Sequence, residues 1–381
     1  MKIKLLTPVH IGTGYEIPFY EWKADSSNNR WMRINLLNLP CFPSDDVLRD
    51  FDKLKAWREN LPWDDALKSK IYEAKVSERI CLPIQGTEIF RECIKNQSTL
   101  QPIIPGSSLK GAISTGYQYW EEELNGRIDK EELKALAQRL KISDIVFPQS
   151  ALRIDLAERR MTKKQFLFTV ALDFQSDLAR GNIPEDLRRE FENNHIILSE
   201  EISLSTESSD RGRSWLITDE DNYQTYYISR GRNELSIRTY FYQWVECIAD
   251  GAIGTATISF GSEREYSYEI APQMCPLRKG DVENLVKRCN HFAREVIKAE
   301  KKHYSYYRKR YGVKLPEYYK IERQLSEMEC LVRVGWGSNK NAVSFVMLDS
   351  RGRRPKSRWL LSDNTPPGWC LLKFEEGDWI E

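Results

Sequence analysis

Two stretches of sequence decide the fold: Leu6-Thr7-Pro8-Val9-His10-Ile11-Gly12-Thr13-Gly14, and Ile104-Pro105-Gly106-Ser107-Ser108-Leu109-Lys110-Gly111-Ala112-Ile113. The first ends a period-two apolar pattern, which predicts a strand that breaks at a glycine turn. The second joins an extended segment to a helical pattern through glycine and serine. Backbone N–H groups and a helix N-terminus at such a junction can hold a phosphate. Taken alone, however, the second stretch is more often a simple capped turn.

The composition is that of a folded protein with a large polar surface. The chain has 381 residues, of which 41% are hydrophobic and 11% aromatic, and this excludes wholesale disorder. Its 57 Lys and Arg residues nearly balance 56 Asp and Glu residues, so the net charge is +1. This balance excludes a uniformly basic nucleic-acid-binding coat, although local basic patches remain possible. The length predicts two units, or one core with large insertions.

Several classes of protein are excluded by cysteine spacing and hydropathy. The eight cysteines form no Cys-x-x-Cys pair, so a zinc ribbon is not expected, and a disulfide framework does not suit so long a chain. No apolar run reaches the roughly 18 residues that a membrane helix needs. The first residues also lack the pattern of a signal peptide. We therefore expect a cytoplasmic, soluble protein with reduced thiols and with no metal, cofactor or membrane contact.

Strands and helices alternate without a run of parallel βαβ units, which predicts the α+β class. The clearest predicted helix covers 281–311, with Asp281 as its cap and one apolar stripe. A second helical pattern follows Ser44. The irregular polar segment from residue 145 onward predicts an insertion with mobile tips. Two β-rich runs joined through Asp250-Gly251 indicate a hairpin.

Two later loops suit contact with nucleic acid. Gly335-Trp336-Gly337-Ser338 sets two glycines around a ring, so the loop can cradle a phosphate while the ring packs or stacks. It lacks the third glycine of a dinucleotide-binding loop. Arg351-Gly352-Arg353-Arg354-Pro355-Lys356-Ser357-Arg358 has five cations in eight residues, a density that can neutralise several phosphates. The alternative for the first loop is a glycine turn with a core Trp, and the alternative for the second is a solvated loop.

Catalytic candidates are few. His10 precedes a glycine turn and is a candidate general acid or base in metal-free RNA cleavage. Asp144 and Asp173 are candidate active-site acids, although isolated acids near strand ends usually cap a helix or pair with a cation. We therefore expect no catalytic residue, with a metal-independent endoribonuclease that processes repeat RNA through His10 as the alternative.

In this order, the motifs resemble the RAMP superfamily of CRISPR-associated RNA-binding proteins. Val245-Glu246-Cys247-Ile248 followed by Gly251 is similar to the family's Glu-x-Ile-x-x-Gly strand. Leu331-Val332-Arg333-Val334-Gly335-Trp336-Gly337-Ser338 is similar to its late glycine-rich loop, and Pro366-Pro367-Gly368-Trp369 to its closing Pro-x-Gly-Trp. Within the superfamily, the set is most similar to the fifth Csm subunits of type III-A effector complexes.

The resemblance implies an RRM-like ferredoxin fold with helical and irregular insertions. The expected segments are a core whose first part is 1–39 and 86–144, a helical insertion at 40–85, an insertion with mobile tips at 145–234, a core hairpin at 235–280, a helical segment at 281–330, and a glycine-rich loop with closing strands at 331–381.

The resemblance also implies a function and partners. Such subunits bind guide RNA (crRNA), cap its 3′ end in the filament and support maturation of that end, while other nucleases of the host do the trimming. The expected partners are crRNA, the other Csm subunits and those nucleases. The residues expected at the RNA are His10, Gly12, Gly14, Gly106, Ser107, Ser108, Lys110, Gly111, Gly335, Gly337, Ser338, Arg353, Arg354 and Lys356. The alternatives are a subunit of a type III-B or III-D complex and an interaction subunit that touches no RNA.

Overall fold

The chain divides into two compact units. The first comprises Met1–Glu158, Gln243–Pro355 and Trp359–Glu381, and the second comprises Arg159–Tyr242 and Lys356–Arg358. The computed structural model describes residues 1–25, 28–39, 43–60, 70–78, 89–125, 140–161, 185, 189, 192–193, 196–202, 213–219, 224–228, 242–261, 274–275, 277–311, 325–336, 357–363 and 365–380.

Runs of strands separated by a few helices, with mostly antiparallel pairing, make up the described residues, and this arrangement is consistent with the α+β class. The strands are β1 (Lys2–Leu5), β2 (Gly12–Ile17), β3 (Trp22–Asp25), β4 (Arg30–Ile34), β5 (Lys70–Val76), β6 (Phe90–Cys93), β7 (Ile103–Ile104), β8 (Leu140–Ile142), β9 (Ile145–Val146), β10 (Leu152–Met161), β11 (Ile196–Ile202), β12 (Arg213–Asp219), β13 (Gln224–Ile228), β14 (Tyr242–Ile248), β15 (Ile253–Thr255), β16 (Ile258–Gly261), β17 (Met274–Cys275), β18 (Leu277–Arg278), β19 (Glu329–Arg333), β20 (Ser357–Leu360), β21 (Trp369–Lys373) and β22 (Trp379–Ile380). The helices are α1 (Asp45–Leu48), α2 (Phe51–Glu59), α3 (Gly106–Asn125) and α4 (Lys279–Tyr311).

The N-terminal strand lies inside a four-stranded antiparallel sheet of order β15-β1-β21-β19. Ile3 and Leu5 of β1 are buried while its two lysines are exposed, as the period-two pattern predicts. The two buried side chains belong to one core with Ile113 of α3 and Leu285 of α4. The first strand and the helix that follows Gly106 are therefore confirmed.

A larger sheet has the order β2-β6-β14-β10-β5-β4-β3 and an aromatic core. The ring centroids of Trp22 and Phe90 are 4.8 Å apart, and those of Phe90 and Trp244 are 5.4 Å apart. Strand β5 runs inside the segment 40–85 that was expected to be helical. Its alternate residues Tyr72, Ala74 and Val76 are buried and its Glu73 and Lys75 lie between them, so the period of a strand is present in this part of the sequence. Both α1 and α2 do lie in that segment.

The segments expected at 145–234 and 235–280 also differ from the structure. Strand β10 lies between β14 and β5 in the large sheet, so part of the predicted insertion belongs to the core of the first unit. Strands β14 and β15 lie in different sheets and do not pair with each other, although Gly251 turns the chain between them with φ +76°. Alternation shows that a segment is a strand, but it does not show which strand becomes its neighbour.

The second unit contains a three-stranded antiparallel sheet of order β11-β12-β13. Its strands pair in unbroken register from Ile196 opposite Asp219 to Ile202 opposite Arg213. The stretch that was expected to be irregular therefore includes regular structure.

The long helix α4 confirms the helix that was expected over 281–311. Its stripe of Val282, Leu285, Val286 and Cys289 is buried. Asp281 lies in the first turn rather than at the cap, and its carboxylate accepts a hydrogen bond from the Arg278 N–H at 3.1 Å. This is the reach-back contact of a capping box, which satisfies a donor that the helix itself cannot. No helix in the described part of the chain is long and apolar enough to cross a membrane.

Candidate functional site

The first and the late glycine turns meet in the structure. The Trp336 N–H donates a hydrogen bond of 2.8 Å to the His10 carbonyl oxygen. Gly335 has φ +81°, and a Cβ atom there would lie 2.4 Å from that same oxygen. Only glycine combines this backbone conformation with so close an approach. The structure thus joins two motifs that lie more than three hundred residues apart in the sequence.

His10 is buried beneath this junction, with 2% of its surface exposed. Its Nδ1 lies 2.6 Å from the Glu246 carbonyl oxygen and must therefore donate, which leaves Nε2 without a proton in the neutral ring. The imidazole meets the Trp336 ring edge-on, with the centroids 5.6 Å apart. Burial lowers the pKa of His10 to about 4, so the ring is neutral near pH 7. This environment suits a positioning residue.

A buried polar cluster supports His10 from below. The Glu246 carboxylate accepts hydrogen bonds from the Tyr72 hydroxyl at 2.7 Å, the Cys93 N–H at 2.9 Å and Lys95 Nζ at 2.5 Å. Lys95 Nζ also donates to the Cys93 carbonyl at 3.0 Å and lies 4.5 Å from the Tyr72 ring centroid. Burial, with the charge of Glu246, raises the pKa of Tyr72 and keeps its hydroxyl a donor. The glutamate of the quoted strand motif is therefore structural.

The turn at Gly106 is built by close packing. Gly106 is buried, and a Cβ atom there would lie 2.0 Å from the Ile142 carbonyl oxygen. Its N–H donates to Asp144 at 2.8 Å. The sequence pattern predicts that the N–H groups at the start of α3 can hold a phosphate. In the structure the first of them is bonded to the protein's own Asp144 carboxylate. Asp144, a candidate acid in the sequence, has this capping role.

The outer part of the same turn is open. Ser107 and Gly111 are exposed, whereas Ser108 and Lys110 are half-buried. Burial, followed by the charge of Lys141, lowers the pKa of Lys110. The charge of Lys141 thus opposes that of Lys110 in the first turns of α3, and an anion bound there would relieve this repulsion.

A short ladder of backbone hydrogen bonds connects this turn with the first one. The Ile94 N–H donates to the Ile11 carbonyl at 2.8 Å, and the Ile103 N–H donates to the Ile94 carbonyl at 3.2 Å. Two strand spacings, or about 10 Å, therefore separate Ile11 from Ile103, which lies just before the second turn. Three segments that are distant in sequence thus converge in one region of the first unit.

The remaining predicted site residues divide into two groups. Gly12 and Gly14 are exposed on β2, and Gly14 has φ +87°. Gly337, Ser338, Arg353, Arg354, Lys356 and the candidate acid Asp173 lie outside the described residues.

Sequence reasoning missed Arg91 and Trp359. The Arg91 guanidinium lies 5.5 Å from the Trp336 ring centroid, and the Trp359 ring lies 4.9 Å from that of Trp336. Arg91 is a single cation on a strand and forms no sequence motif. It becomes a candidate site residue only because the structure places the late turn beside it. Among the residues that the structure describes, no three His, Cys, Asp or Glu side chains are grouped to hold a metal ion.

The comparison with known families agrees with this geometry. The model of the RAMP superfamily matches residues 2–360, and the chain belongs to this superfamily. Membership gives the protein a CRISPR-associated RNA-binding role, in multi-subunit complexes with crRNA. The chain matches none of the curated proteins with which it was compared.

The buried His10 predicts a dependence of stability on pH. Because its pKa falls from 6.5 to about 4 on folding, the unfolded chain binds a proton between these values that the folded chain does not. The free energy of unfolding is therefore expected to fall as the pH drops from about 6.5 to 4, by up to about 3 kcal/mol from this residue. Urea unfolding from pH 7 to pH 4 should show a shallower fall for His10→Asn than for the wild type. Equal slopes would contradict the buried neutral ring.

Proposed function

We propose that the protein binds crRNA as a subunit of a type III-A CRISPR effector complex and caps the 3′ end of that RNA. The observation that carries the proposal is the packing of Gly335 and Trp336 onto the His10 carbonyl, which holds the late glycine turn against the first. Backbone N–H groups in turns of small residues are among the donors that contact phosphate oxygens, and this packing brings two such turns together. Contacts of this type position an RNA without reading its sequence.

The RRM-like ferredoxin core is part of the same proposal. The sheet β15-β1-β21-β19 is antiparallel, and its buried side chains share a core with α3 and α4. Four antiparallel strands with two helices are the components of such a fold. A net charge of +1 also suits a subunit that meets both RNA and neighbouring Csm proteins.

We further propose that the protein is not itself catalytic. Two candidates for acid–base chemistry, His10 and Asp144, are a buried neutral ring and a helix-capping carboxylate. A general base works best with a pKa near the operating pH, and that of His10 is about 4. Incubation of the pure protein with repeat RNA and EDTA tests this point, because cleavage that is lost in His10→Asn would establish the endoribonuclease instead.

The test of the RNA-binding role is to purify the protein from cells that carry its neighbouring genes, crosslink it with ultraviolet light and sequence the attached RNA. Crosslinks clustered at the 3′ ends of repeat–spacer RNAs are expected. Crosslinks along the middle of the guide would make the protein a filament subunit. Absence of such RNA would remove the guide-binding role.

A charge reversal at the second turn sharpens this test. Lys110→Glu is expected to lower the yield of crosslinked guide RNA about ten-fold, because it places an anion where a phosphate would lie. Lys53→Glu is the matched control, since Lys53 is exposed on α2 and is not among the residues expected at the RNA. Equal losses for both variants would mean that overall charge, rather than the turn, governs the yield.

A further inference from the structure

Three side chains, Arg91, Trp336 and Trp359, form a surface of one cation and two aromatic rings beside the junction of the glycine turns. Arg91 lies 5.5 Å from the Trp336 ring centroid. Trp359 meets Trp336 at 4.9 Å with the ring planes tilted by 43°. Both indoles are half-buried and pack against the buried cluster of Ala157, Val245 and Leu361. The rings are thus held from behind by the core.

The charge of Arg91 is only weakly compensated. Among the described residues Arg91 forms an ion pair with Glu16, with Nε and Oε1 4.0 Å apart, and the two side chains are 39% and 54% exposed. An exposed pair at this distance contributes little to stability. Arg91 Nε itself is buried and, within the described part of the chain, makes no hydrogen bond, so the exposed part of the side chain lies beyond that atom. A positive charge is therefore available above an aromatic ring, next to the turns that we assign to RNA.

The position of Trp336 is set by the backbone and not by its own packing alone. The Gly335 turn and the bond from the Trp336 N–H to His10 hold the residue in place, and the His10 ring contacts the indole edge-on. A preorganised ring loses little entropy when a ligand stacks on it. Unpaired bases stack on aromatic side chains and on guanidinium planes whatever their sequence.

We propose that Arg91 and Trp336, with Trp359 behind them, form a stacking site for one unpaired base of the bound RNA. This inference rests on the proposed RNA-binding function and adds to it the class of contact: a base face rather than a phosphate. It predicts that affinity at this site depends on the presence of a base and on the flat shape of the guanidinium.

The test is the binding of fluorescein-labelled single-stranded RNA to the full-length protein, followed by fluorescence anisotropy. A series of RNAs carries one abasic nucleotide at each position in turn. In the wild type, one position is expected to show a loss of affinity of roughly ten-fold to one-hundred-fold. Arg91→Lys keeps the positive charge but removes the planar guanidinium. This variant is expected to bind the intact RNA more weakly by a similar factor and to leave the salt dependence of binding unchanged.

Variants of the ring complete the experiment. Trp336→Leu is expected to abolish the abasic penalty, whereas Trp336→Phe, which keeps a ring, should retain it. Trp120→Leu is the control, because Trp120 also lies under a cation, with Lys287 Nζ 5.0 Å away, but on the helices α3 and α4. Since the abasic series needs only the wild type, the stacking site can be tested even where a variant misfolds.

The outcomes separate the two proposals. Tight binding of RNA with no abasic penalty at any position, or with Arg91→Lys equal to the wild type, overturns the stacking site and leaves the RNA-binding function standing. Failure of the wild type to bind any RNA overturns the function, and the stacking site with it. An abasic penalty that is lost equally in Trp120→Leu overturns the assignment to Trp336.

Discussion

Replacement of Glu246 by alanine is expected to lower the free energy of unfolding by about 3–5 kcal/mol. The carboxylate is fully buried and accepts three hydrogen bonds, from Tyr72, Cys93 and Lys95. Its removal leaves the ammonium of Lys95, whose side chain is 6% exposed, without its closest anion. Glu92, whose carboxylate lies 3.8 Å from Lys95 Nζ, is more exposed and replaces Glu246 only in part. Most of the cost of burying the ammonium therefore remains uncompensated, so the loss exceeds the contribution of any one bond.

Urea unfolding of the purified protein measures this loss. Glu73→Ala is the matched control, because Glu73 bonds to Lys70 on the same sheet but is 37% exposed, and a change below about 1 kcal/mol is expected there. The double variant Glu246→Leu with Lys95→Met should be more stable than Glu246→Ala alone, since neither charge is then buried. A loss for Glu246→Ala no larger than that for Glu73→Ala would contradict the buried cluster.

The second large effect is expected at the late turn, where Gly335→Ala should destabilise the protein by about 2–5 kcal/mol. An L-residue at φ +81° costs about 1–2 kcal/mol, and a Cβ atom 2.4 Å from the His10 carbonyl oxygen forces the two backbones apart. The same displacement moves Trp336, so the affinity for RNA should fall together with stability. Thermal unfolding and RNA anisotropy measure the two effects.

Gly14→Ala is a close control for this change. Gly14 has φ +87°, but nothing lies within 4 Å of a Cβ atom placed there. It should therefore show the conformational cost of about 1–2 kcal/mol without the collision. The difference between the variants isolates the contact of Gly335 with His10, and equal losses would mean that this contact is not tight.

The elements that could be predicted are those with an uninterrupted local pattern. The strand with Ile3 and Leu5, the helix after Gly106 and the long helix α4 all show their period in the sequence, and the structure confirms them. Strand β5 was not predicted although its Tyr72, Ala74 and Val76 are buried at alternate positions, because the helical spacing that precedes it was extended over the whole segment. In β10 the charged Asp155 is buried, so burial in that strand does not follow the apolar pattern of the sequence.

The candidate site shows the same division. Its glycine turns could be quoted from the sequence, because glycine marks the positions where a backbone must turn or approach closely. The sequence could not show that His10 is buried or that Asp144 bonds to the Gly106 N–H, because both facts depend on strands that are distant in sequence. The same is true of Arg91, which becomes a candidate only through its neighbour Trp336.

By itself, the sequence determined the α+β class, the positions of the turns and the family to which the chain belongs. These properties depend on local periodicity and on short motifs. The tertiary structure alone decided that Gly335 packs on His10, that Glu246 holds a buried cluster and that Arg91 covers Trp336. The physical reason is that contacts between segments hundreds of residues apart are selected by the packing of the whole core, and local sequence carries no record of which segments become neighbours.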